Sequence, residues 1–407
     1  MSVQIEPIVD LAPQENHTGE RRRILVCAPR YLPGYKSGGP IRSISNMVNS
    51  LSPYFDWFVI TRDRDATDVE SYPGVIANRW HRVGNASVLY CSSVGPAILR
   101  EAFLKARPDV ISLHSFLDPI TRIVVRLRYT RTFGDTPIVL APRGEFAPEA
   151  MAIKKWKKKA YRGLTKTLGL HDNLFWQVST PRERQDLLRA RPTRRLDPNS
   201  IYVTRNISDI YSSSAPHTKK EPGSVRLAFI ARMSEMKNLH FLLEVLQKVR
   251  GRVQLNLFGP VADSDVVYWS RCKDLLAKLP SSSTAEYHGA LDHSAVPQVL
   301  HEHHFFVLPT RGENFCHSAV ESFVNGIPVV LSDATPWLNL NALHAGFDIP
   351  LSDRQQWVAV LQKCVDMDQQ TYSVYLKGAN EYGKRFSAEE AVQEHLAMFQ
   401  GVLASSR

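Results

Sequence analysis

The chain has 407 residues, of which 43% are hydrophobic and 22% charged, so it can bury two or three cores rather than one. It contains no run of about 18 apolar residues, which excludes a bilayer-spanning helix. Its five cysteines (Cys27, Cys91, Cys272, Cys316, Cys364) are scattered and form no CxxC pair, and they read as reduced cytoplasmic thiols. The net charge of +10 fits an anionic ligand, an anionic membrane face or nucleic acid.

Residues 1–22 are polar and carry neither an apolar stretch nor a signal peptide, so they read as a disordered arm. Short apolar runs then alternate with helical patterns, the grammar of α/β folds with parallel sheets. Buried strands are expected at Ile24–Ala28, Trp57–Thr61, Val88–Cys91, Val110–His114, Ile138–Ala141 and Leu174–Ser179. After a break, they are expected at Arg226–Ala231, Val253–Phe258, Phe305–Pro309 and Ile327–Ser332. The break is SSSAPHTKKEPGS, rich in Ser, Pro and charge. The expected organisation is a first domain over 23–211, a linker over 212–224, a second domain over 225–384 and a C-terminal helix over 385–407. Ser387 and Glu390 suit a capping box for that helix, with Ala391, Val392, Leu396 and Phe399 on one face.

Three stretches have the residue types of a phosphate-handling site. PGYKSGGP, after the first strand, sets Gly38 and Gly39 at a helix start, where backbone N–H groups favour an anion; a plain structural turn has the same signature. ARMSEMKN follows the strand Arg226–Ala231 and puts Arg232 and Lys237 where ligands of parallel sheets bind. Two cations there suit a diphosphate, and they equally suit a solvated basic loop. TRGENFCHSAVESFVNGIPVV follows the strand Phe305–Pro309 and reads as a helix over Cys316–Asn325 stopped by Gly326. Its first N–H groups, at Phe315, Cys316 and His317 beside Asn314, suit a phosphate. Glu321 follows about 7 Å along the helix, within reach of a ribose, and Glu313 precedes it; the alternative is two surface glutamates.

The glutamate spacing E-x7-E in GENFCHSAVESFVNGIPVV, followed by SDATPW, resembles family 4 of the retaining, glycogen-synthase-like glycosyltransferases. The pair Arg232 and Lys237, the double glycine Gly38–Gly39 and APRGEFAPEAM (Ala141–Met151) resemble that family in the same order, over roughly Arg23 to Arg385. The resemblance implies a GT-B fold, with two Rossmann-like domains facing across a cleft and the C-terminal helix returning to the first. It also implies sugar transfer with retention at the anomeric carbon, no essential metal and no cofactor. Glu321 then resembles the ribose-binding glutamate, Glu313 the one beside the donor sugar, and Arg232 and Lys237 the pair at the leaving diphosphate. His114 resembles a histidine that contacts the transferred sugar, and Arg143 and Glu145 fall on the acceptor side. The chain departs from the family at Cys316, where many relatives have glycine, and at Arg205–Asn206–Ile207, where they often have Pro-Asn-Gly.

Asp63-Arg64-Asp65 has the form of a D-x-D metal motif, and His301-Glu302-His303-His304 that of a metal cluster. The first falls early in a chain whose later motifs are metal-independent, and adjacent residues of the second cannot all face one ion, so no metal is expected at either. Residues 151–170 hold seven Lys or Arg and no acid, with Ile153, Trp156, Ala160, Tyr161, Leu164 and Leu168 at helical spacing. The pattern suits a helix lying on an anionic membrane, or an ordinary basic surface helix; nucleic acid ranks last, since no motif for it is present. The expected protein is a cytoplasmic hexosyltransferase, peripheral on the inner membrane face through 151–170. It would move sugar from a nucleoside-diphosphate donor to a glycan or lipid-linked acceptor in bacterial exopolysaccharide or lipopolysaccharide synthesis. The alternatives are a non-catalytic sugar-nucleotide-binding protein and a GT-B sugar-nucleotide epimerase.

Overall fold

The computed structural model describes residues 4–8, 21–36, 38–66, 68–152, 155–208 and 216–405. Most of the expected arm, the start of the expected linker, and Ile153 and Lys154 of the basic segment lie outside the described residues. The chain divides into two compact units, 1–207 with 389–407 and 208–388.

Unit 1 contains β1 (Ile5–Pro7), β2 (Arg22–Cys27), β3 (Phe55–Arg62), β4 (Arg79–Val83), β5 (Ala86–Cys91), β6 (Val110–His114), β7 (Ile138–Ala141), β8 (Phe175–Val178) and β9 (Ile201–Val203). Its helices are α1 (Gly39–Leu51), α2 (Pro96–Ala106), α3 (Pro119–Tyr129), α4 (Pro148–Ala152), α5 (Lys155–Thr167) and α6 (Pro181–Ala190). The strands form one sheet in the order β1-β4-β5-β3-β2-β6-β7-β8-β9, in which β4 is antiparallel to β1 and β5 and the other pairings are parallel. Parallel strands covered on both faces read as unbroken apolar runs, and all of β5, β6 and β7 is buried. The arm is not wholly irregular: Ile5–Pro7 pairs with Val83–His81 along the sheet edge.

Helix starts follow local chemistry. Asp118 caps α3 by accepting from Ile120 N, and Thr180 caps α6 by accepting from Glu183 N; each helix opens with proline, whose missing N–H costs nothing there. At α1 the preceding residue, Gly38, adopts φ 65° and ψ −127°, a conformation open to glycine alone.

Unit 2 is a six-stranded, wholly parallel sheet in the order β12-β11-β10-β13-β14-β15. These strands are β10 (Ser224–Ile230), β11 (Arg252–Phe258), β12 (Ser283–Tyr287), β13 (Phe305–Leu308), β14 (Val329–Ser332) and β15 (Gly346–Ile349). Its helices are α7 (Leu239–Leu246), α8 (Val266–Leu276), α9 (Val296–His301), α10 (His317–Val324), α11 (Arg354–Asp366) and α12 (Gln369–Gly383). Unit 2 begins in order well before β10. The buried Lys220 donates to the carbonyls of Glu221, Val365 and Met367, tying the described part of the expected linker to the end of α11.

The last helix, α13 (Ala388–Ala404), packs in the core of unit 1 with β2, β3 and α1. Phe399 meets Phe55 edge-on at 5.4 Å and Trp57 at 5.8 Å. Truncating such a buried phenylalanine costs about 3–5 kcal/mol. Arg205 fastens the same helix, pairing with Glu394 at 2.7 Å and with Glu390 at 2.9 Å, so Glu390 reaches Arg205.

Candidate functional site

The sheet of unit 2 reverses its winding between β10 and β13. From β10 the chain passes through α7 to β11 on one side, and from β13 through α10 to β14 on the other. Ligands of open parallel sheets bind outside the strand ends at such a reversal. The residues after β10 are Arg232 to Lys237, and those after β13 are Thr310 to Cys316, so strand pairing alone brings the two segments together.

Lys237 Nζ pairs with Glu313 Oε1, and both side chains are largely buried. Thr310 holds the arrangement. It is fully buried, its hydroxyl lies 3.2 Å from Glu313 Oε1 and 3.1 Å from the carbonyl of Met236, and its carbonyl accepts from Ser332 Oγ at 2.5 Å. The Arg311 N–H donates to Met236 O at 2.8 Å, stitching the loops, and Glu313 N donates to Ala334 O at 3.1 Å. Arg232 is half-exposed, with its Nε 3.9 Å from Asp265 Oδ2.

The helix over the glutamate motif is α10, which begins at His317, one residue later than the spacing suggests. Cys316 is its N-cap, at φ 63° and ψ 70°, and its carbonyl accepts from Ala319 N and Val320 N. A left-handed residue is where glycine sits without strain, which fits the glycine that the family resemblance leads one to expect there. The Cys316 side chain is buried and turned into the core, and burial pushes its thiol pKa up, so it is no nucleophile. Phe315 is braced by His317 at 4.9 Å and Trp337 at 5.4 Å. Glu321 lies one turn into α10, its Oε1 3.6 Å from His293 Nδ1. Sequence reading missed Thr310, Ser332, Asp265 and His293; only Thr310 and Ser332 carried a signal, as polar residues at the ends of apolar strand runs.

In unit 1, Gly38 and Gly39 lie at the start of α1 as expected, and Asp65 holds the preceding loop by accepting from Tyr35 N at 2.6 Å and Lys36 N at 2.9 Å. Asp63 accepts from Arg64 Nε and Ser71 Oγ, both at 2.8 Å, so both carboxylates of the D-x-D motif are engaged in loop structure. His303 and His304 are likewise structural: Nε2 of the first meets Asn256 at 2.8 Å, and Nδ1 of the second accepts from Arg226 N at 2.9 Å.

His114 ends β6, buried. Arg143 directs Nε (3.2 Å) and Nη2 (2.9 Å) at its Nδ1, and Ser112 Oγ lies 3.2 Å from Nε2. Guanidinium only donates, so Nδ1 carries no proton and the ring is neutral. Burial first, then the Arg143 charge, hold its pKa well below the usual histidine range. Arg143 itself, at φ 55°, also donates to Asn206 Oδ1 at 2.7 Å, and burial lowers its pKa to about 10. Glu145 accepts from Ser115 Oγ, Phe116 N and Leu117 N, which shapes the loop after β6. His114, Arg143 and Asn206 thus form one buried cluster, while Glu145 works separately.

Two doubly wound α/β units, the second with a cation–carboxylate pair at its switch point, make this a GT-B fold. Residues 214–374 match the family model for glycosyl transferases group 1. No curated protein matches in sequence. Among solved structures, sucrose-phosphate synthase from Thermosynechococcus elongatus superposes with a TM-score of 0.73 at 15% identity, over 95% of this chain and 100% of that one. HepE from Anabaena, solved with UDP and glucose, gives 0.67 at 15% over 94% and 100%. WaaG, a glycosyltransferase involved in lipopolysaccharide biosynthesis, gives 0.63 at 12% over 91% and 98%.

Proposed function

We propose that this chain is a retaining, metal-independent glycosyltransferase that moves a hexose from a nucleoside-diphosphate donor to a glycan or lipid-linked acceptor. The observation that carries this reading is the Lys237–Glu313 pair at the switch point of unit 2, beside the N-terminus of α10. Lys237 and Arg232 offer positive charge to the diphosphate, the first-turn N–H groups of α10 supplement it, and Glu321 accepts from the ribose hydroxyls. Glu313 faces the donor sugar. HepE has been solved with UDP-glucose, which makes UDP-hexoses the first donors to test. In the transfer, the bond from the anomeric carbon to the diphosphate oxygen breaks while the acceptor oxygen bonds to that carbon on the same face. The leaving phosphate oxygen takes the acceptor proton. The roles of Gly38 and Gly39 toward the donor, of His114 toward the transferred sugar and of Arg143 and Glu145 toward the acceptor are those that the family resemblance implies.

The reading is tested by measuring nucleoside diphosphate release with and without candidate acceptors. Release that needs an acceptor supports transfer. Release without one indicates hydrolysis; binding without release leaves an epimerase, which keeps the diphosphate on the sugar and is recognised by a changed sugar nucleotide, or a non-catalytic sugar-nucleotide-binding protein, which leaves the sugar nucleotide unchanged.

A lipid-linked acceptor, at the cytoplasmic face of the inner membrane in surface-polysaccharide synthesis, is favoured by the outer face of α5. Tyr161 turns inward, against Phe116 at 5.6 Å and under the Arg122 guanidinium at 4.5 Å. Trp156, Leu164 and Leu168 instead face solvent, at 77%, 58% and 50% exposure, among the exposed Lys155, Lys157 and Lys159. Lys158 bends back to the carbonyl of Ala150. An apolar stripe flanked by lysines suits an anionic bilayer, each basic residue near the surface adding about 1 kcal/mol. No described helix is long and apolar enough to cross a membrane. The protein should sediment with anionic vesicles at low salt and release as salt rises. Changing Lys155, Lys157 and Lys159 to Gln should abolish sedimentation and leave donor binding intact. A wild type that ignores anionic vesicles at low salt would make α5 an ordinary solvated helix.

A further inference from the structure

The sheet of unit 1 has its own reversal, between β2 and β6. The chain leaves β2 through α1 to β3 on one side, and leaves β5 through α2 to β6 on the other. Nothing in the donor chemistry above uses the charged side chains that gather at these strand ends. Arg30 follows β2, Arg62 closes β3 and Asp118 opens α3 after β6.

Arg30 Nη1 donates to the carbonyl of Pro29 at 2.7 Å, and Arg62 Nη1 donates to the same oxygen at 3.2 Å, so two guanidiniums converge on one atom. Asp118 is shared, taking Arg62 Nη1 at 3.1 Å while it caps α3 through Ile120 N at 2.8 Å. Asp65, the other carboxylate nearby, is occupied by backbone N–H groups of Tyr35, Lys36 and Ala66. Among the described residues, Arg30 has no carboxylate within ion-pair distance and its buried Nε finds no acceptor. The buried hydroxyl of Tyr72, packed against the same loop at Gly34, also lacks a hydrogen-bond partner among the described residues. Burial first, and then the neighbouring Arg62 charge, lower the Arg30 pKa.

A buried donor without an acceptor, beside two like charges, is unfavourable by itself. An oxyanion offsets the second term: it neutralises the surplus charge of the two guanidiniums, and the planar guanidinium fork matches its geometry.

We propose that Arg30 and Arg62 form an anion-binding subsite in unit 1 that takes a phosphate group of the acceptor. Only the word acceptor rests on the reading of the chain as a glycosyltransferase, because the subsite itself is tested with inorganic phosphate. Two acceptor classes carry such a group: a soluble sugar phosphate, or the diphosphate of a lipid-linked glycan.

The full chain is titrated calorimetrically with inorganic phosphate, as wild type and as Arg30→Gln. Removing a charge-assisted bond should weaken phosphate binding roughly ten-fold or more. Phosphate held on Arg232 and Lys237 in unit 2 is common to both proteins and cancels in the comparison. Equal affinity in the two proteins, or no phosphate binding by either, overturns the proposal and leaves sugar transfer standing. Arg62→Gln is the less suitable variant, since Arg62 also pairs with the carboxylate that caps α3. If Arg30→Gln fails to fold, Arg30→Lys keeps the charge and removes the fork; weaker binding supports the subsite and unchanged binding overturns it. A hexose phosphate and a detergent-dispersed prenyl diphosphate, titrated alike, then distinguish the two sources. The one that wild type holds more tightly than inorganic phosphate, and that Arg30→Gln releases, is the acceptor's class.

Discussion

Replacing Lys237 by methionine removes the cation that faces Glu313 and, on the proposed reading, the leaving diphosphate. The two losses are separable. Among the described residues Glu313 then keeps the Thr310 hydroxyl alone, at 3.2 Å, and its side chain is 12% exposed. Stranding a fully buried charge costs about 3–5 kcal/mol, so this partly solvated pair should lose about 1–3 kcal/mol of stability. Losing a charge-stabilising donor at a reacting centre lowers kcat by about 100-fold or more. Adding Glu313→Gln to Lys237→Met removes the stranded charge, so the double variant should recover stability. It should not recover turnover, because the diphosphate still lacks its cation. Thermal unfolding without ligand reports the first quantity, and acceptor-dependent nucleoside diphosphate release reports the second. If Lys237→Met/Glu313→Gln turns over within a few-fold of Glu313→Gln alone, Lys237 serves only to balance Glu313 and the diphosphate assignment fails.

Glu321→Gln should weaken nucleoside diphosphate binding roughly ten- to a hundred-fold, the scale of a charge-assisted hydrogen bond, whereas Glu313→Gln should impair transfer more than binding; equal affinity in both variants would remove the ribose role of Glu321. Turnover should survive EDTA, since on the proposed reading Arg232, Lys237 and the α10 terminus serve the diphosphate, and the Asp63 and Asp65 carboxylates are engaged in their loop; loss on chelation, restored by Mn²⁺, would return those two residues to consideration. Burial lowers the rings of His171, His304 and His395 to about 4, below their unfolded value of about 6.5, so the unfolded chain binds more protons in that window. Their contribution to stability is therefore whole above about pH 6.5 and is lost as pH falls toward 4. Urea midpoints at pH 7.5 and pH 5 should differ accordingly, and a flat profile would show that these rings are not buried neutral.

The amino-acid pattern by itself determined what local chemistry controls. Runs such as Val110–His114 and Ile138–Ala141 read as strands because parallel strands covered on both faces have no polar positions to break the run. The short helix behind the glutamates was legible because its stop at Gly326 and its apolar face lie within ten residues of each other. Its first residue was not, because Cys316 is left-handed and nothing in its side chain says so. Strands without a long unbroken apolar run escaped. β12 is largely exposed on a sheet edge, β15 opens with glycine, and β1 and β4 exist through antiparallel pairing at the other sheet's rim.

Only the tertiary structure decided which charges meet. Lys237 and Glu313 are 76 residues apart and touch because β10 lies beside β13. Arg30, Arg62 and Asp118 gather because β3, β2 and β6 are neighbours. His114 resembled a sugar contact from its place at a strand end, and the fold added Arg143, which fixes the tautomer of a ring now buried. Periodicity reports which face of an element is buried, whereas the partner across a sheet depends on strand order, which non-local pairing sets and no short window of sequence contains.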